Sequence, residues 1–112
     1  MTIIEETTFE EMNLSPEIMN SLKKMGVTRP TTIQQQAIPL LMDNMCLIAK
    51  APTGTGKTFA FSIPILEYLN LDAKFVQALI LCPTRELALQ ITTEIKGLGH
   101  LIPKLGVCTI IG

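Results

Sequence analysis

The chain has no excess of either charge. Nine basic and ten acidic residues leave a formal net charge of −1, so no general positive field marks it for nucleic acid, and any such contact must be local. Long apolar runs are missing too. Ala78 to Cys82 and Val107 to Ile111 are too short to span a bilayer, and Asp43 and Asn44 interrupt the stretch around Leu40. Glu5, Glu6, Glu10 and Glu11 stand where a secretory signal carries positive charge. Cysteine is scarce and odd in number: Cys46, Cys82 and Cys108 lie far apart in apolar runs, without metal-ligand spacing. That pattern predicts reduced, buried thiols in a cytoplasmic protein. The single histidine, His100, has no ligand partners near it and reads as a surface residue. What the chain does have is apolar content, 47% against 17% charged residues, which excludes a disordered tail. Its 112 residues make at most one domain with a modest core.

Ser15-Pro16 reads as a helix start, with Ser15 as N-cap and Pro16 at the first helical position. Ile18, Met19, Leu22 and Met25 share a face, and Gly26 stops the helix. A second helix starts near Thr31, whose spacing to Gln34 fits a capping box; Pro39 predicts a kink. Residues 58 to 69 and 85 to 98 predict two more helices. Short apolar runs at 46 to 49, 76 to 82 and 106 to 111 read as strands. Helices alternating with continuously apolar strands predict an α/β fold: a parallel sheet flanked by helices on both faces.

The sharpest motif is Ala51-Pro52-Thr53-Gly54-Thr55-Gly56-Lys57-Thr58, residues 51–58, a P-loop pattern with Ala51 in place of its first glycine. Gly54 and Gly56 let backbone N–H groups turn into one concavity, and the following helix adds its positive end. Lys57 would reach the terminal phosphates of a nucleotide, and Thr58 would offer its hydroxyl to Mg²⁺. A plain glycine turn explains the glycines but not Lys57, a cation facing the helix dipole unfavourably. The loop by itself implies nucleoside triphosphate binding and no particular activity.

Two further stretches narrow the choice. Gly26 to Gln34 follows Phe9 by seventeen positions, and Pro83-Thr84-Arg85-Glu86-Leu87-Ala88 follows the Val76 run. In order and spacing, residues 9–34, 51–58 and 83–88 resemble the Q motif, motif I and motif Ia of the DEAD-box RNA helicases. The resemblance spans Phe9 to Gly112. It implies that residues 1–112 are the N-terminal part of the first RecA-like, ATP-binding domain of an ATP-dependent RNA helicase, which remodels RNA duplexes. Gln34 then pairs with adenine and Phe9 stacks on the base. Thr53, Gly54, Thr55, Gly56, Lys57 and Thr58 hold the phosphates of ATP, with Lys57 and Thr58 in the catalytic apparatus and Thr58 on Mg²⁺. Pro83, Thr84 and Arg85 grip the RNA backbone without reading sequence. From the residues alone, Gln34 serves equally as a capping-box partner of Thr31, and Phe9 as an anchor for the acidic N-terminal segment.

This sequence departs from the family pattern in places. Thr32 replaces a proline, and Asp43-Asn44-Met45-Cys46 replaces the usual strand entry. No Asp-Glu-Ala-Asp or Ser-Ala-Thr motif occurs, nor a second helicase domain with its arginine finger, so the chain is expected to bind nucleotide without turning it over. The resemblance also implies that the strands carrying the absent motifs lie between the phosphate-loop strand and the Val76 strand. Without them the apolar edges lack partners, and the chain is expected to be marginal, rearranged or self-associating. Two rivals remain: another P-loop protein such as a nucleotide kinase or transport ATPase, and a non-catalytic module that binds RNA or a partner.

Overall fold

Short polar residues begin three of the four helices, because their side chains accept the N–H groups that a first turn leaves unpaired. In the computed structural model, which describes residues 7–44, 46–48 and 56–111, a 3-10 turn at Glu10–Met12 precedes four helices. These are α1 (Pro16–Lys24), α2 (Thr32–Met42), α3 (Lys57–Tyr68) and α4 (Arg85–Leu98). Ser15 Oγ accepts from Ile18 N at 3.4 Å, Thr31 Oγ1 from Gln34 N at 3.4 Å, and Thr84 Oγ1 from Leu87 N at 3.2 Å. Pro16 sits in the first turn of α1, and Lys23 and Lys24 complement the negative end of its dipole. Gly26 follows at φ +74°, where a side chain would be strained.

The core lies where the helices meet. Ile18 and Leu22 of α1, Ile38 of α2, Ile63 and Leu66 of α3, and Ile91, Ile95 and Leu98 of α4 are buried together with Phe9 and Met12. Their spacings of three, four or seven residues put one stripe of each helix inside. Helix α2 packs most extensively on α3, while α4 touches α3 and α1. Pro39 and Pro64 stand inside α2 and α3, so both helices run through their prolines. A long-range contact ties α1 to the far end of α3: Glu67 Oε1 accepts from Ser15 N at 3.1 Å and from Ser15 Oγ at 2.8 Å. Ser15 therefore caps α1 while its own polar groups are held by a carboxylate.

Three expectations can be set against the structure. No strand ladder forms among the described residues, where the predicted strands stand as separate runs. A strand needs a neighbour to take its N–H and C=O groups. The runs at 76–82 and 106–111 make no backbone–backbone hydrogen bond to a described residue; Ala49, at the end of the third run, lies outside the described residues. What survives is the pleat. Ile80 and Cys82, and Leu105 and Val107, pack against the core, while Leu79, Leu81 and Ile110 point out at 78%, 85% and 90% exposure. Burial alternates over 79–82 and 105–110 with the period of two that a strand requires, whereas 75–79 are exposed throughout. One face is thus bare, not both covered. Second, the thiols are free as expected but not buried: Cys46 and Cys108 are exposed and Cys82 half-buried, Cys108 falling on the outward side of the alternation. Third, Met25 lies past the end of α1 and is 41% exposed.

Ser15→Ala is expected to lose about 1–2 kcal/mol, because it removes a cap and one of the two hydrogen bonds to Glu67. Glu67→Gln, which keeps an acceptor oxygen, loses less. Urea unfolding followed by circular dichroism measures both, and equal midpoints for wild type and Ser15→Ala would disprove the linkage.

Candidate functional site

The capping box predicted at α2 is closed in both directions. Thr31 Oγ1 accepts from Gln34 N, and Gln34 Oε1 accepts from Thr31 N at 2.9 Å. The same carboxamide reaches across to the next helix, where Gln34 Nε2 donates to Gly56 O at 3.1 Å. Gly56 is the N-cap of α3 and the last residue of the glycine turn, at φ +84°. A Cβ there would run into the Gln34 amide and lie 2.9 Å from Thr31 Oγ1. Glycine is needed twice over, for the left-handed turn and for the close approach of α2. The starts of α2 and α3 are therefore held side by side by one side chain that is 2% exposed.

Helix α3 differs from the other three at its start. It has no side-chain cap, and Lys57 is its first residue, exposed to solvent; like α2 it has no acidic residue in its first turn. Its leading N–H groups and its dipole are left for an anion, which Lys57 also favours. Thr58 follows, half-buried. Thr53, Gly54 and Thr55 lie outside the described residues. Gln34 keeps hydrogen-bonding capacity beyond these two bonds, although its carboxamide is buried in this structure. A carboxamide has two N–H donors and two acceptor lone pairs, and its two bonds here use one of each. Capping and base recognition, alternatives in the sequence, are thus compatible in one side chain.

Phe9 is 2% exposed, with its ring in the core beside Met12 and Ile18; the structure places it as an anchor. A neighbouring residue that the motif reading passed over fixes this segment: Gln35 Oε1 accepts from Thr7 N at 3.2 Å, and Gln35 Nε2 donates to Pro30 O at 3.3 Å. The run Gln34-Gln35-Gln36 was the available signal, since helical spacing turns Gln35 away from Gln34 and toward the N-terminal segment. Pro83, Thr84 and Arg85 are all exposed at the start of α4, which Thr84 caps and Glu86 follows. The structure joins Thr31, Gln34 and Gly56, with Lys57 next in the chain. It sets the 83–85 group at the start of a different helix. Among the described residues no group of three or more His, Cys, Asp or Glu is placed to hold a metal ion.

The DEAD/DEAH box helicase family model matches residues 31–112. A DEAD-box ATP-dependent RNA helicase CshA from Geobacillus kaustophilus is 48% identical over 93 residues, covering 83% of this chain and 20% of that protein. Among solved structures, the RNA helicase Prp28 from Chaetomium thermophilum bound to ADP superposes with a TM-score of 0.87 at 35% identity, covering 98% of this chain and 28% of that one. Dbp5 of S. cerevisiae bound to RNA and ADP BeF3 superposes at 0.80 with 38% identity, covering 84% of this chain and 25% of that one. The chain belongs to the DEAD/DEAH box helicase family. It spans about a fifth of the length of the curated relatives it matches.

Substituting Gly26 and Gly56, the left-handed glycines among the described residues, separates backbone strain from crowding. Gly26→Ala meets nothing within 4 Å and is expected to cost about 1–2 kcal/mol, the left-handed penalty by itself. Gly56→Ala must also displace Gln34 and forfeit its bond, and so costs about 1 kcal/mol more. Denaturant unfolding of both variants checks this; equal losses would mean that Gln34 does not depend on Gly56.

Proposed function

We propose that this chain is the ATP-binding portion of an ATP-dependent RNA helicase, and that residues 1–112 form part of its first RecA-like domain. The observation that carries the reading is the joint of Gln34, Thr31 and Gly56 directly ahead of Lys57. It sets a side chain able to pair with a purine edge beside a helix start able to hold phosphates. An adenine nucleotide needs both at once, and a glycine turn with no ligand needs neither.

In this reading the spare N–H and lone pair of Gln34 meet the adenine edge, which presents both an acceptor and an amine donor. The N–H groups at the start of α3, with Thr53, Gly54, Thr55 and Gly56, receive the phosphates, and Lys57 supplies a charged donor. The residues present suit a magnesium ion brought with the nucleotide, through the Thr58 hydroxyl; such an ion would neutralise phosphate charge. Phe9 stacks on the base only if its ring leaves the core, so its anchoring role comes first. Pro83, Thr84 and Arg85 take RNA phosphates at the start of α4, a contact blind to base sequence. The runs at 46–49, 76–82 and 106–111 are the strands of the RecA-like sheet. The cytoplasm is the proposed compartment, in keeping with three free thiols.

Two measurements test the reading. Lys57→Ala removes a charged hydrogen bond worth about 1.5–3 kcal/mol, so calorimetry is expected to show ATP affinity falling about tenfold or more. Unchanged affinity would remove the phosphate site. Wild type is expected to prefer ATP over GTP, because guanine offers an acceptor where adenine offers an amine. Gln34→Ala erodes that preference. If instead helix content falls while the preference survives, Gln34 is a structural joint and no more.

A further inference from the structure

An amide accepts at one end and donates at the other, so amides bonded head to tail align their dipoles and strengthen one another. Such a line runs from the N-terminal segment to the start of α3. Thr7 N donates to Gln35 Oε1 at 3.2 Å, and Gln35 Nε2 donates to Pro30 O at 3.3 Å. The other end of that same peptide unit, Thr31 N, donates to Gln34 Oε1 at 2.9 Å, and Gln34 Nε2 donates to Gly56 O at 3.1 Å. Each glutamine is held in one orientation, because each faces a backbone N–H that can only donate and a backbone C=O that can only accept. Gly56 O also accepts from Ala60 N at 3.2 Å, so both its lone pairs are engaged and its direction is set. The next group along the line is the N–H of Lys57, the far end of the Gly56–Lys57 peptide and the first of those that α3 leaves without an intrahelical acceptor. A planar trans peptide ties its two ends together, so holding Gly56 O sets where the Lys57 N–H points.

We propose that Gln35 is a positioning residue for the nucleotide site, and that this line of amides couples docking of the N-terminal segment at Thr7 to phosphate binding at the start of α3. The proposal rests on the ATP reading above. Gln35 acts through the Pro30–Thr31 peptide and Gln34, since its own bonds go to Thr7 and Pro30. A mere tie for the N-terminal segment would need only the acceptor that Gln35 offers to Thr7 N. That segment is already anchored by Phe9, which is buried in the core. The donor end of Gln35 goes instead to the one peptide whose N–H holds Gln34. The chemistry is restrictive: glutamate could not donate to Pro30 O, and lysine could not accept from Thr7 N. With the Pro30–Thr31 peptide held at both ends, the Gln34 carboxamide is fixed, and with it Gly56 O and the Lys57 N–H. Coupling of this kind is reciprocal. If a docked Thr7 strengthens the phosphate site, a bound phosphate tightens the hold on Thr7.

Calorimetric titration with ATP of wild type, Gln35→Met, Gln34→Leu and the double variant tests the coupling. Methionine keeps the length of the side chain without its polar ends, and circular dichroism checks that the helices remain. Gln35→Met is expected to weaken ATP binding about threefold to tenfold, the contribution of one neutral hydrogen bond. Gln34→Leu weakens it too, and adding Gln35→Met to that variant is expected to cost nothing further, because the line is already cut. Without nucleotide, the amide proton resonance of Lys57 is expected to shift in Gln35→Met, which a tie confined to the N-terminal segment would not cause. In wild type, hydrogen exchange at Thr7 N is expected to slow when ATP binds. Unchanged affinity in Gln35→Met, additive losses in the double variant or a Lys57 resonance indifferent to Gln35 would each overturn the proposal. So would Thr7 exchange that ignores bound ATP, whatever the variants do. Lys57→Ala tells two failures apart. If ATP binding responds to Lys57→Ala but not to Gln35→Met, the coupling alone fails; if it ignores both, the ATP reading fails and the proposal with it.

Discussion

One buried carboxamide fixes the geometry on which the site depends. Gln34 holds Thr31 N on one side and Gly56 O on the other, and so sets the start of α2 against the start of α3. A polar group this deeply buried must be bonded, or its desolvation goes uncompensated. Here the bonds that satisfy it are also those that align two helix ends. The arrangement needs three residue types together: a hydroxyl at Thr31 to cap, an amide at Gln34 to bond in two directions, and no side chain at Gly56. Replacing Gln34 would leave the Thr31 cap and the left-handed turn at Gly56 but remove the bond that joins the two helix starts.

The packing beneath this joint is conventional and supports it. Ile38 of α2 and Ile63 of α3 share the core, both fully buried, so the two helices cannot drift apart without opening it. Phe9 and Met12 fill the same core from the N-terminal segment, which Gln35 ties to α2. At the opposite end of α3, Glu67 seizes Ser15 and so brings α1 into register. Stability is thus spent on placing helix starts. The one start left without a cap, that of α3, is where the nucleotide phosphates are proposed to sit. A locally unfavourable choice, Lys57 in a first turn without an acid, is what the proposed phosphate site would call for.

The apolar runs show the same economy under the opposite constraint. A segment that packs one face on helices and turns alternate side chains outward satisfies only half of what its composition demands. Its backbone groups and its outer face call for another strand, and water is a poor substitute on an uncharged surface. The helical half of the molecule carries its own hydrogen bonds within each helix, so it needs no partner to keep its form. That difference explains why four helices are complete among the described residues while the strand-like runs are not laddered.

Features carried by near neighbours in the chain were legible from the residues alone. Ser15, Thr31 and Thr84 as caps, Gly26 as a stop, and the span of α4 follow from hydrogen-bonding and steric rules that act over four residues or fewer. The family, too, was legible, because its motifs are short and ordered. Tertiary structure decided everything that depends on a distant partner. Whether Gln34 caps or faces the next helix depends on Gly56, twenty-two positions away, and the answer is that it does both. Whether Phe9 is free or anchored depends on Met12, Ile18 and the core they share. The burial of Cys82, Cys108 and Leu79 depends on what lies across the run, and composition carries no record of that. Local rules specify an element; the presence of a neighbour, which no local rule contains, decides whether a strand-forming run becomes a strand.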